Sequence, residues 1–244
     1  IEAFDFALSK QDDYFNEVRQ IGKQTIKELE KDKDQFAVVL FGRSYNAFAK
    51  EANMGIPHKF ASRGTMIIPS DFIPIENEKE FPTMYWAQGQ TNLMASTFVK
   101  KHSQLYGSFV TNFSCGPDSF IISYFRDIMG IKQSLTLELD SHTADAGLNT
   151  RIDAFLDIVK SYRELEKEKK IIEVKNEFKP AETVLKNNKI FVQTANGTKY
   201  SLTNKKVNVL IPTMGRMISE SFAATFKGLG INAIELPDSD MKIL

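Results

Sequence analysis

The chain has 244 residues, 42% of them hydrophobic and 25% charged, with 31 basic side chains balancing 31 acidic ones. This is a globular composition, with enough apolar material for one large core or two small ones. A net charge of zero provides no global field for nucleic acid or an anionic membrane; no apolar run approaches the roughly 20 residues of a bilayer span; and a single cysteine excludes a disulfide framework, which fits a reducing cytoplasm.

The opening IEAFDFALSKQDD is acidic and lacks the basic-then-apolar order of a secretory leader. From Ser9 to about Asp32 the chain reads as an amphipathic helix, with Phe15, Val18, Thr25, Ile26 and Leu29 at helical spacing. The continuous apolar run Gln35 to Gly42 predicts a strand buried on both faces. A short helix over Ile56 to Arg63 and a strand over Thr65 to Ser70 follow. Pro74 and Pro82 bracket a loop, and a longer helix is predicted over Thr83 to Lys101 with Trp86, Leu93, Met94 and Phe98 inward. Gly107 to Phe113 reads as a strand, Ser119 to Met129 as a helix, and Ser134 to Asp140 as a strand. The clearest helix runs from Gly147 to about Glu166, where Leu148, Ile152, Phe155, Val159 and Tyr162 make one stripe. Strands alternating with helices in this way predict an α/β fold, a doubly wound, mostly parallel sheet of flavodoxin or Rossmann-like order.

Arg163 to Lys179 is dense in charge and reads as a solvated helix end and linker. Ile190 to Thr203 alternates around Asn196-Gly197, a dipeptide suited to a tight hairpin turn. Val207 to Pro212, a helix from about Arg216 to Lys227, and Ile231 to Leu236 form a further βαβ unit. The expected organisation is an α/β domain over 1–166, a linker with a β-hairpin over 167–205, and the start of a second α/β domain over 206–244. The chain opens without a start methionine and closes just after a strand, so it reads as a piece of a longer protein.

Each strand of the first domain is followed by a polar, turn-rich segment: Gly42-Arg43-Ser44-Tyr45-Asn46, Ser70-Asp71, Ser114 to Asp118, and Asp140 to Asp145. A parallel sheet gathers these segments along its carboxyl edge, where open α/β sheets bind ligands. Cys115 is the chain's only cysteine and falls between a predicted strand and a predicted helix start. The amides of a helix start favour a thiolate there, while the neighbouring Asp118 opposes it. A lone cysteine is also commonly a small buried hydrophobe. Arg43 suits a phosphate or carboxylate clamp, or a structural ion pair. Asp140 suits the site or the ordering of its own loop, Asp145 and Arg151 are spaced to pair with each other, and His142 has no second His or Cys nearby to make a metal set. The sequence holds no Rossmann glycine fingerprint, no P-loop, no nucleophile elbow and no zinc motif, which argues against a dinucleotide enzyme, a P-loop ATPase and a serine hydrolase.

The segment LTLELDSHTADAGLNTRIDAFLDIV resembles the carboxyl end of the cluster-binding subunits of 2-hydroxyacyl-CoA dehydratases, on Glu138, Asp140, Thr150, Arg151, Ile152, Ala154 and Phe155. Cys115 and Pro117 in NFSCGPDSF match that family's strand–Cys–x–Pro element. Gly42, Arg43 and Tyr45, together with Asn53, Gly55, Ile56 and Pro57, are similar to elements of the large activase-related proteins, in which an ATPase activator and dehydratase-like domains share one chain. The resemblance covers about Gln35 to Ser161, and the terminal IPTMGRM…GLGINAIELP is similar to the opening of the next domain in those proteins. It implies a wall of an iron–sulfur site in a longer protein: Cys115 as one ligand, Arg43, Tyr45, Ser114, Asp140 and His142 lining the same cleft, and a low-potential electron passed to an acyl-CoA at the expense of ATP. Its implied partners are the other domains of the parent chain, an ATPase activator and an acyl-CoA, with neither nucleic acid nor membrane among them. The alternatives are a docking module of the same large protein and a small-molecule or nucleotide binder with no redox role.

Overall fold

A run of 28 residues without proline, Glu2–Leu29, forms helix α1 in the computed structural model, which describes residues 2–113, 116–168 and 179–237. The chain continues as β1 (Ala37–Gly42), the single turn α2 (Ser44–Ala47), α3 (Ile56–Ala61), β2 (Met66–Pro69), a 3-10 turn at Ser70–Phe72, α4 (Ala87–Lys101), β3 (Leu105–Asn112), α5 (Asp118–Met129), β4 (Ser134–Leu139) and α6 (Asp145–Lys167). These elements belong to the first of two compact units, Ile1–Glu173; the second is Val174–Leu244.

All four strands of the first unit are parallel, in the order β2-β1-β3-β4. All six residues of β1 are buried, so its side chains divide between two cores. Ala37, Val39 and Phe41 enter one with α1, α4 and α5; Val38 and Leu40 enter the other with α2, α3 and α6. The sheet is therefore doubly wound, as the alternation of apolar runs predicts. Gly107 of β3 lets the first core close: a Cβ there would meet Phe125 Cζ at 2.8 Å. The rings of Phe41 and Phe109 each pack on Phe125, at 5.2 and 5.4 Å between centroids.

The chain leaves β1 over one face to reach β2, then crosses the other face to reach β3 on the opposite side of β1. The connection leaving β1 for β2 and the one leaving β3 for β4 run to opposite sides, so they diverge at the carboxyl ends of β1 and β3, the switch point where such sheets open a crevice.

Several element bounds shift from the sequence pattern by a residue or two, and three departures are larger. Helix α1 begins at Glu2 rather than Ser9. Helix α4 begins at Ala87 rather than Thr83, because Met84 closes a turn onto the Phe81 carbonyl and Trp86 is extended. Trp86 consequently points to a rim, 41% exposed, and not inward.

In the second unit, β5 (Glu182–Lys186), β6 (Lys189–Gln193) and β7 (Lys199–Ser201) form an antiparallel sheet. Strand β5 is the third departure: it pairs with β6 through Asn187 and Asn188, both at positive φ, the backbone a two-residue hairpin turn demands. At Asn196-Gly197 only the glycine takes positive φ, while the Asn196 side chain accepts a bond from the Thr198 N–H at 3.1 Å. Strand β8 (Val209–Ile211), α7 (Arg216–Gly228) and β9 (Ala233–Glu235) complete the unit, with β8 and β9 parallel and Ile211, Ala223 and Ala233 as their small core.

Candidate functional site

Strand β1 ends on Gly42, whose φ of +143° turns the chain away from β3; a Cβ there would stand 2.4 Å from the Val110 carbonyl oxygen. The turn delivers Arg43 to the top of the sheet. Its Nη2 lies 3.2 Å from Asp118 Oδ2, and its guanidinium lies 5.0 Å from the centre of the Tyr45 ring. Asp118, the first residue of α5, is fully buried, and Thr111 at the end of β3 donates a 2.6 Å hydrogen bond to the same Oδ2. The end of β3 and, from far along the chain, the end of β1 thus converge on one carboxylate. Asp118 Oδ1, Arg43 Nε and Asn46 Nδ2 are buried with no partner among the described residues. Most buried polar atoms of folded proteins are paired, so three unpaired ones gathered at one sheet edge single out that edge as a candidate site.

Beneath them a polar ladder fixes α4. Ser70 donates to Asn92 Oδ1 at 3.2 Å, Asn92 Nδ2 donates to the Gly42 carbonyl at 3.3 Å, and Ser96 donates to the Asn92 carbonyl at 2.6 Å. Beside the ladder, Gln88 reaches Asp71 at 3.4 Å, and burial raises the Asp71 carboxyl above its ordinary range.

A cavity of about 450 Å³ opens at the switch point between Arg43, Ser44 and Tyr45 on one side, Tyr85 to Gly89 and Asn92 on the second, and Pro117 and Ile121 on the third. A second cavity of about 210 Å³ adjoins it, between Phe81, Met84, Phe120 and Tyr124, and shares Tyr85 and Trp86 with the first. Trp86 packs on Phe120 with ring centroids 5.9 Å apart. Gly89 makes the close approach possible, since a Cβ there would meet Met84 Sδ at 2.8 Å and Ile121 Cδ1 at 3.0 Å. The rim is aromatic and open: Tyr85 is 93% exposed, and Tyr45, Phe120 and Tyr124 are about half exposed.

Arg43 and Tyr45 line the larger cavity, whereas Asp140 and His142 do not. The Asp140 carboxylate is engaged locally: Oδ1 accepts from the His142 N–H at 2.8 Å and from the Thr143 hydroxyl at 2.9 Å. The bond from Thr143 leads the causes that hold its pKa below the usual carboxylate range. Both residues are exposed in the loop that opens α6. Ser114 and Cys115 lie outside the described residues. Asp145 pairs with Lys59 rather than with Arg151, which instead donates to the Thr136 carbonyl at 2.7 Å. Asp118, Thr111, Asn92 and Trp86 complete the site and went unassigned by the sequence. The available signal was the switch point itself, which singles out the ends of β1 and β3. In the second unit a cavity of about 370 Å³ is lined by Arg216 and Glu220, already paired at 2.8 Å.

Among the described residues no three His, Cys, Asp or Glu side chains gather so as to hold a metal ion, and no helix is long and apolar enough to cross a membrane. Residues 1–73, from α1 through β1 and β2 to the 3-10 turn, match the family model described as the CoA enzyme activase uncharacterised domain. No curated protein and no solved structure matches the chain.

Proposed function

We propose that the first unit is a ligand-binding wall of a CoA enzyme activase-related protein, and that the crevice over β1 and β3 receives a CoA ester. One observation carries this reading: a cavity of about 450 Å³ at the switch point, with an arginine on one wall and aromatic rings around its mouth. That volume falls in the range of small-molecule sites, and its blend of apolar lining with a few polar groups suits a ligand with an anionic end and an apolar end. Arg43 is the only cation in the lining. The Asp118 carboxylate behind it cancels much of its long-range field, so its part is directional: it orients an acceptor group. The rings of Tyr45, Tyr85 and Trp86 offer flat apolar surface to the rest of the ligand.

The resemblance to cluster-binding subunits adds a finer reading, in which Cys115 is one ligand of an iron–sulfur cluster. Clusters of this kind are held by several thiolates, and this chain has one cysteine. The residues present therefore do not hold a cluster by themselves, and the remaining ligands on that reading come from outside these 244 residues.

Isothermal calorimetry of the chain with an acyl-CoA tests the ligand reading. Saturable binding that weakens about tenfold or more in Arg43→Lys, which keeps the charge but loses the planar fork, is the expected result. Heat of dilution alone from a folded chain contradicts it.

A further inference from the structure

Helix α1 is held by one end only. Its second half is buried at Val18, Gly22, Ile26 and Leu29, the last two in the first core, and Gly22 lies so close to the 3-10 turn that a Cβ there would overlap the Phe72 carbonyl. Its first half, Glu2 to Glu17, is exposed throughout apart from the half-buried Phe15. The apolar stripe does not stop where the packing stops. Stepping back from Leu29 by threes and fours through Ile26, Gly22, Val18 and Phe15, it continues to Leu8 and Phe4, with Gln11 as the single polar step. Phe4 is 69% exposed and Leu8 47%, on a stretch of helix with no neighbour among the described residues.

The charges beside the stripe choose among its occupants. Between Glu2 and Glu17 stand five carboxylates and one lysine, and that Lys10 is already paired with Asp13 at 3.0 Å. An anionic membrane surface is repelled by such a helix, since surface-seeking helices carry basic flanks. A second copy of the same half-helix brings carboxylates against carboxylates, which weakens the pairing. We infer that the first half of α1 docks a basic amphipathic helix of a partner, apolar stripe against apolar stripe, with the partner's Lys or Arg flank facing Asp5 and Asp12, which border the stripe on one side.

The test uses two synthetic helical peptides with the same leucine stripe, one flanked by lysine and one by glutamate. The intact chain is expected to bind the lysine-flanked peptide and not the other, with a gain in helical circular dichroism and weakening at high salt. Phe4→Ser/Leu8→Ser, which leaves the buried half of α1 untouched, should bind it about tenfold or more weakly with an unchanged melting curve. Asp5→Lys/Asp12→Lys should transfer the preference to the glutamate-flanked peptide. Binding of neither peptide, binding indifferent to the Phe4 and Leu8 changes, or a self-associated chain that Phe4→Ser/Leu8→Ser makes monomeric would each overturn the inference.

Discussion

The two edges of the parallel sheet in the first unit solve opposite problems. At the amino edge, side chains close off backbone carbonyls. Gln104 Nε2 lies within 3.1 Å of the carbonyl oxygens of Leu29, Asp32 and Gln35. The Lys132 ammonium bonds the carbonyls of Val99 and His102 at the end of α4, and Arg163 donates to the Lys33 carbonyl at 2.6 Å. Cations placed on the last carbonyls of a helix are favoured by its dipole as well as by hydrogen bonding. At the carboxyl edge, Asp118, Arg43 and Asn46 each keep a buried polar atom with no partner among the described residues, and aromatic rings stand open around a cavity. The amino edge spends most of its polar groups on holding the fold, although Gln104 Oε1 is buried there without a partner among the described residues. The carboxyl edge sets its unpaired atoms beside a cavity with an aromatic rim.

The contrast predicts different consequences for substitutions of similar size. Lys132→Met should have the largest effect, roughly 3 kcal/mol of lost stability for the first unit, because the carbonyls at the end of α4 lose their donor. Urea unfolding followed by Trp86 emission measures it, and ligand binding to the folded variant should be unchanged. Asp118→Asn should cost about 2 kcal/mol, below the full value of a broken buried pair because Arg43 retains some solvent access. It should also weaken ligand binding, which Lys132→Met should not. A Lys132→Met variant that binds poorly, or an Asp118→Asn variant that binds normally, would break the division between the edges.

The amino edge also has a pH signature. Burial is the leading cause that lowers Lys132 to about 8, from 10.5 in the unfolded chain, against the attraction of Glu166. Between those values the unfolded chain holds more protons, so this group makes stability rise with pH, by at most about 1.4 kcal/mol per unit. Below about pH 8 its contribution is flat. Unfolding curves at intervals from pH 7 to 10 should show that slope in the wild type and a shallower one in Lys132→Met. The smallest expected change in stability is that of Tyr45→Ala, within about 0.5 kcal/mol, since the ring is largely exposed. Its effect should appear in ligand affinity instead.

Much of the first unit was legible from the sequence because its strands are buried on both faces. The unbroken apolar run at Ala37–Gly42 and the stripe from Leu148 to Val159 admit few other readings, and the polar loops after each strand pointed to the carboxyl edge. The arrangement inside that edge was not legible. Asp118 beside Cys115 reads as a local charge, yet its partners are Arg43 and Thr111, which the sheet alone brings to it. Trp86 fits the helical spacing of Leu93 and Met94, but the Phe81–Met84 turn holds it out of the helix and turns it toward the rim. Asp140 lies at the expected edge and spends its carboxylate on its own loop. Strand β5 escaped notice because Glu182–Lys186 is almost wholly exposed and so carries no burial pattern; its signal was the Asn-Asn turn.

Trp86 is the only tryptophan in the chain and stands where the two cavities meet. In the folded chain its emission therefore reports on the carboxyl edge, and titrating it with an acyl-CoA tests the account most directly. The account predicts a saturable change in emission that Tyr45→Ala and Arg43→Lys diminish and Lys132→Met leaves intact. An emission spectrum unaltered at saturating acyl-CoA, in a chain whose circular dichroism shows it folded, would contradict it.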